Sequence, residues 1–173
     1  LHPGALFLGD RYISGYYPEV VRAAGRHVDV LSTNLNADWP QGVFAPYYLQ
    51  GLRDLAGRPI MITEYYSAAM ENQSGNMNDS SGFPTLPTQR ERIASFKRQT
   101  EFLLRQPDVV GVHWFQYYDE PRHGRHDGEN YNFGLVDIQG KPYLGLAKSA
   151  AKMLKTPRAR QADLPNPRRT IPY

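Results

Sequence analysis

The sequence predicts an α/β protein built as half of a (β/α)8 barrel. Three observations lead there. Apolar runs and amphipathic segments alternate, strand then helix, four times over. The strands read as near-continuous apolar runs, which suits a parallel sheet covered by helices. Each strand then ends in a group of polar or aromatic residues. Barrel enzymes gather function at the C-terminal ends of all their strands, whereas an open doubly wound sheet concentrates it at one switch point. No glycine-rich phosphate loop follows the first strand, which argues further against a nucleotide-binding sheet.

The elements follow in order. Ala5–Gly9 is a short apolar run between turn residues and predicts the first strand, with Asp10 and Arg11 at its end. Residues 18–24 fit a helix, with Pro18 at its start and Gly25 after it. His27–Thr33 is apolar and β-branched, a second strand ending at Asn34 and Asn36. Val43–Ala56 predicts a helix closed by Gly57, and Pro59–Thr63 a third buried strand ending at Glu64 and Tyr65. A long loop, rich in Asn, Ser and Gly, spans 67–87 and carries two glycosylation-type triplets at Asn72 and Asn78. Residues 88–105 form the clearest helix. Thr88 and Glu91 stand at capping-box spacing, and Ile93, Phe96, Thr100, Leu103 and Leu104 share a face. Asp108–Phe115 is the fourth strand, followed by Gln116 and Asp119. A second long loop covers 120–132, and Tyr143–Lys155 is the last helix. Phe7, Val30, Ile62 and Val112 are expected to line the inner face of the sheet.

Composition narrows the function. The chain has 173 residues, 40% apolar and 21% charged, ordinary for a globular domain. Its net charge of +3 lies wholly in residues 157–173, where Arg158, Arg160, Arg168 and Arg169 face only Asp163. The domain reading is therefore a catalytic unit over 1–156 and a basic, Pro-rich tail over 157–173. The charge describes that tail and predicts no nucleic-acid partner. No apolar run approaches the roughly 20 residues that span a bilayer, so no membrane partner is expected. Cysteine is absent, which excludes thiolate metal sites and disulfides. His113, His123 and His126 lack a metal-binding spacing, and no metal or cofactor is expected. Leu1 opens the chain without a methionine or a charged leader, and the expectation is a piece of something longer that carries no signal peptide.

The chemistry centres on Glu64. Four apolar residues commit residues 59–62 to the core, and a carboxylate then appears where the strand leaves it. Tyr65 and Tyr66 flank it and are expected to orient it by phenol hydrogen bonds and keep it ionised, as a glycosidase nucleophile requires. A structural ion pair at a strand end is the alternative. Trp114 and either Tyr117 or Tyr118 offer flat apolar faces beside Gln116 and Asp119. Sugar rings stack on such faces while their hydroxyls need donors and acceptors. Trp114 read alone is more commonly a large core residue.

Five stretches carry a family resemblance: LFLGDRY (6–12), HVDVLSTN (27–34), PIMITEYY (59–66), GVHWFQYYDEP (111–121) and DGENYNFGLVDIQGKPY (127–143). Together they make the chain resemble the C-terminal half of clan A retaining glycoside hydrolases, which are (β/α)8 TIM-barrel enzymes. Within them it resembles the β-agarase and β-galactosidase-type families most. The resemblance implies that this chain supplies strands five to eight, with Glu64 as nucleophile ending strand seven. It implies that Trp114, ending strand eight, floors the subsite of the attacked sugar. Asp119, Arg122, Arg125, Asp127, Glu129 and Asn130 would line further subsites. Asp10 and Arg11, read from their place at a strand end and not from the resemblance, are expected to contact substrate, with an ion pair in the barrel mouth as the alternative. Two departures stand out. The family's Asn-Glu pair, which supplies the acid/base, is missing before Glu64, and Asn34-Leu35-Asn36 replaces a tyrosine common on strand six.

The function expected is hydrolysis of β-glycosidic bonds in a galactan- or agarose-like polysaccharide with retention of configuration. The partners expected are a poly- or oligosaccharide and either an N-terminal half-barrel or a second copy of the chain. A secreted or periplasmic location suits such a substrate. The rival readings are a non-catalytic carbohydrate-binding remnant and an open α/β domain of another class.

Overall fold

The computed structural model describes residues 4–13, 17–35, 42, 46–153 and 155, with no side chains given for residues 10–13 and 46. Asn36 and the tail at 157–173 therefore lie outside the described residues. Four strands form one parallel sheet: β1 (Leu8–Ile13), β2 (Val30–Asn34), β3 (Ile60–Tyr65) and, two short strands later, β6 (Val109–Trp114). Their spatial order is β1-β2-β3-β6, the order of the chain, with no reversal. Helices α1 (Pro18–Gly25), α2 (Pro46–Ala56), α3 (Gln89–Leu104) and α4 (Leu144–Met153) follow the four strands in turn. The described residues contain no helix long and apolar enough to cross a membrane.

All four helices cover the same face of the sheet. One buried cluster joins Val21 of α1, Leu49 and Leu52 of α2, Phe96 and Leu103 of α3, and Leu146 and Met153 of α4 to Leu31, Ile60, Ile62, Tyr65 and Val109 of the strands. A doubly wound sheet would divide its helices between two faces and reverse its strand order; this one does neither. Ile62 is fully buried in that cluster and Val112 packs on it, which corrects their expected place on the inner face. Phe7 is half-exposed, next to the edge strand β1.

Element starts differ from the sequence reading by a few residues. β1 begins at Leu8 and runs through Asp10 and Arg11, so these two lie within the strand and not beyond its end. Helix α3 begins as its sequence announces. Thr88 accepts from the Glu91 amide, and the Glu91 carboxylate accepts from the Thr88 amide at 3.0 Å. The cap satisfies amides that the first helical turn cannot pair. The helix also buries Arg92, Ser95 and Gln99 completely, three polar residues that its apolar pattern does not announce.

The loop between β3 and α3 holds a two-residue parallel ladder, β4 (Ala68–Ala69) with β5 (Thr85–Leu86). Asparagines pin the rest. Asn72 and Asn76 exchange bonds at 2.9 Å, Asn78 donates to the Ala69 carbonyl at 3.0 Å, and the Asn132 amide donates to Asn78 at 2.9 Å. Side-chain amides here do what a ladder does in a strand: they pair the backbone groups of a buried turn.

Candidate active site

Asp119 ties the strand-end loops to the helices. It is 4% exposed and accepts from Ser74 Oγ at 2.6 Å, Tyr143 Oη at 2.7 Å and the Gly134 amide at 2.8 Å. Burial raises its pKa, and those three donors together with the Arg92 charge hold it back. Arg92 donates to the carbonyls of Ser67 and Gly134 at 2.8 and 2.9 Å; its burial lowers its pKa to about 10. Only glycine fits at 134, since a Cβ there would collide with the Val136 carbonyl and the Asp119 amide. Asp119 therefore sits inside the fold as a tie between loops, which corrects its expected role as a substrate contact.

A cavity of about 270 Å³ opens at the C-terminal ends of the strands. Glu64 of β3 and Asn34 of β2 form one wall. Tyr66, Phe83, Phe115 and Phe133 supply aromatic surface, and Arg125 and Glu129 add charged groups to the lining. Glu64 reaches the cavity because β3 carries an extra residue. Ile62 pairs with Val112 of β6 and Tyr65 with Trp114, three residues advanced on one strand against two on the other. The register with β2 slips at the same point, between Ile62 and Glu64. A bulge of this kind breaks the in–out alternation. Ile62 and Tyr65 both face the helices, and Thr63 and Glu64 both turn to the other side. Thr63 Oγ1 donates to Asn34 Oδ1 at 2.9 Å, fixing the amide beside Glu64.

The same alternation separates the predicted aromatic residues. Tyr65 is 2% exposed, stacks beside Phe96 and hydrogen-bonds Thr100 Oγ1 at 2.8 Å. Its burial pushes its pKa up to about 12. Its phenol thus orients nothing in the cavity. Trp114 lies edge-on to Tyr65 and Phe96, at 5.3 and 5.1 Å between centroids, under the Arg92 guanidinium. Both belong to the layer between sheet and helices, not to the cavity, and the expected Trp114 floor is corrected accordingly. Trp114 still acts on the site from behind, because its Nε1 donates to the Phe133 carbonyl at 2.9 Å.

The aromatic wall is one connected cluster, of which the sequence reading named Tyr66 and missed Phe83, Phe115 and Phe133. Phe133 stacks on Tyr131 at 4.9 Å and 5°, and Tyr66, Phe83 and Phe115 pack around it. Phe115 follows the helix-facing Trp114 in the chain and so points the other way, into the cavity. Gln116 holds Phe133 and Leu135 through its backbone and is not part of the lining. Of the predicted residues, Glu64, Asn34, Tyr66, Arg125 and Glu129 meet at the cavity, while Asp10 and Arg11 have no described side chains. Among the described residues no three His, Asp or Glu side chains converge as a metal site.

Arg125 is held by three carboxylates. It pairs with Glu129 at 2.6 Å, Asp127 at 2.8 Å and the fully buried Glu120 at 3.3 Å, and its guanidinium lies 5.6 Å from the Phe115 ring centroid. Burial raises the Glu120 pKa to about 7; the Tyr131 amide and Arg125 oppose that rise and Glu129 adds to it.

No protein-family model matches the chain. It is 33% identical over 159 residues to β-agarase B of Vibrio sp. (strain JT0107), an alignment that takes in 87% of this chain and 15% of the agarase. Among solved structures it is similar to an agarase, AgWH50C, with 35% identity and a TM-score of 0.80 over 92% of this chain and 24% of that one. An exo-β-agarase matches with 32% identity and a TM-score of 0.79, over 92% of this chain and 20% of that one. The chain is thus agarase-like in sequence and fold, and it spans a quarter or less of each of these three proteins.

Proposed function

We propose that this chain is the nucleophile-bearing half of a (β/α)8 β-agarase-like hydrolase, and that Glu64 attacks the anomeric carbon. The observation that carries the reading is the bulge in β3, which turns Glu64 off the helix-facing side into an aromatic-walled cavity. A carboxylate at the end of a barrel strand, beside apolar rings, is the arrangement a retaining glycosidase uses. The likeness to β-agarases favours an agarose-like galactan as substrate.

The reaction runs in two displacements. The Glu64 carboxylate forms a bond to the anomeric carbon as the glycosidic oxygen leaves and takes a proton from a second carboxylic acid. Water then attacks the glycosyl ester, giving its proton to that second carboxylate, and Glu64 is released. The configuration is inverted twice and so retained. The second carboxyl comes from the part of the barrel this chain does not span. That part also meets the two sheet edges, β1 and β6, where Leu8 and Val110 stand more than half exposed. Bare edges of this kind seek a strand to pair with, from a preceding half-barrel or from a second copy.

Rescue with azide tests the assignment in the full-length enzyme. Glu64→Ala should be inactive alone, and azide should restore turnover of an activated β-galactoside with an α-glycosyl azide as product. A β-azide, or an active Glu64→Ala, would overturn it.

A further inference from the structure

Glu120 is the one carboxylate of the Arg125 cluster with no exposed side-chain surface, against 39% for Asp127 and 20% for Glu129. Its Oε2 accepts from the Tyr131 amide at 2.6 Å, its backbone carbonyl accepts from Asn76 Nδ2 at 2.9 Å, and its buried Oε1 lies 3.3 Å from Arg125 Nη1, an ion pair longer than the other two. Keeping a carboxyl in such a place costs more than an apolar residue of similar size would. What it accomplishes is visible in Arg125. All three guanidinium nitrogens are engaged, Nε by Asp127, Nη2 by Glu129 and Nη1 by Glu120, and the plane lies near Phe115 at the cavity wall.

We infer that Glu120 is a positioning residue that fixes Arg125 so that the Arg125–Glu129 pair selects for a sugar with a particular free hydroxyl. This rests on the proposed sugar-binding role of the cavity. Arginine offers only donors and an ionised carboxylate only acceptors. Set side by side, they match two neighbouring hydroxyls, one accepting and one donating. An arginine already held in place loses little freedom on binding, so its contacts translate into discrimination. A sugar lacking one of those hydroxyls leaves a cavity group unpaired, and polar sites reject such analogues strongly.

The test is equilibrium titration of the full-length enzyme, made non-hydrolysing by Glu64→Gln, with a galactoside disaccharide and its series of monodeoxy analogues. One deoxy position should weaken binding roughly tenfold. That penalty should shrink below about twofold in Glu129→Gln and in Glu120→Ala. Glu120→Gln, which keeps the shape and the contact to Tyr131, should lose at least half of it and serves if the alanine variant does not fold. A merely structural Glu120 would lower the melting temperature and leave the deoxy profile as it was, and that result overturns the inference. A sugar-binding cavity whose deoxy profile ignores Glu120 leaves the function standing without the inference. A cavity that binds none of the sugars removes both.

Discussion

Two sets of side chains leave the same strand ends in opposite directions. Tyr65 and Trp114 go to the helix layer, where each meets Phe96 and where Thr100 and Arg92 satisfy or cover them. Glu64, Tyr66 and Phe115, their immediate neighbours in the chain, go to the cavity. Composition does not tell the two sets apart, since both are rich in aromatic rings. The difference is one of parity, set by an extra residue in each of two strands, in β6 between Val109 and Gly111 and in β3 between Ile62 and Tyr65. The helix-facing set holds the strand ends in place; the cavity set presents the chemistry. Substitutions in the two sets should therefore differ in which of stability and function they chiefly reduce.

The largest effect expected is from Glu64→Gln, which should reduce hydrolysis by about a thousandfold or more while the melting temperature stays within a degree or two of wild type. Steady-state kinetics and calorimetry on one preparation check both halves. Trp114→Ala should do the reverse. It removes a large ring from the sheet–helix layer and the bond to the Phe133 carbonyl, and should cost about 3 kcal/mol of stability by denaturant unfolding. If Trp114→Ala instead left stability alone and weakened sugar binding, the division of the two sets would be wrong. Asp119→Ala should cost a similar amount, about 2–3 kcal/mol, because Ser74, Tyr143 and Gly134 lose a shared acceptor inside the fold.

Smaller effects sharpen the picture. Phe115→Ala should weaken oligosaccharide binding roughly five- to tenfold and also lower stability, because the ring packs on Tyr66 and Phe133. The pH dependence follows from Glu120. Its folded pKa, about 7, lies above its unfolded value, so the folded state holds the proton more tightly. The stability this contributes is fully present below the unfolded pKa and is lost as pH rises through about 7. Melting temperatures should fall between pH 5 and 8 by this route, and Glu120→Gln should flatten that slope. A slope unchanged in the variant would contradict the assignment to Glu120.

Much of this architecture was legible in the chain. Apolar runs followed by helix-period segments announced the alternation, Thr88 and Glu91 announced the start of α3, and the carboxylate after Pro59–Thr63 announced where to look for chemistry. The sides taken by Tyr65 and Trp114 were not legible, because they depend on a register slip between strands that are far apart in sequence. Asp119 looked like a strand-end acid. It is buried because its donors Ser74, Tyr143 and Gly134 converge on it from 15 to 45 residues away. Glu120 was invisible as a member of the site for the same reason, since only folding brings Asn76, Tyr131 and Arg125 around it.

The central claim is that Glu64 forms the covalent bond to the sugar. A 2-deoxy-2-fluoro β-galactoside with a good leaving group should trap the glycosyl-enzyme, because the fluorine slows the second displacement more than the activated first one. Digestion and mass spectrometry of the labelled full-length enzyme should place one fluoroglycosyl group on the peptide containing residues 59–66, esterified to Glu64. A label on any other carboxylate, Glu129 included, would contradict the account.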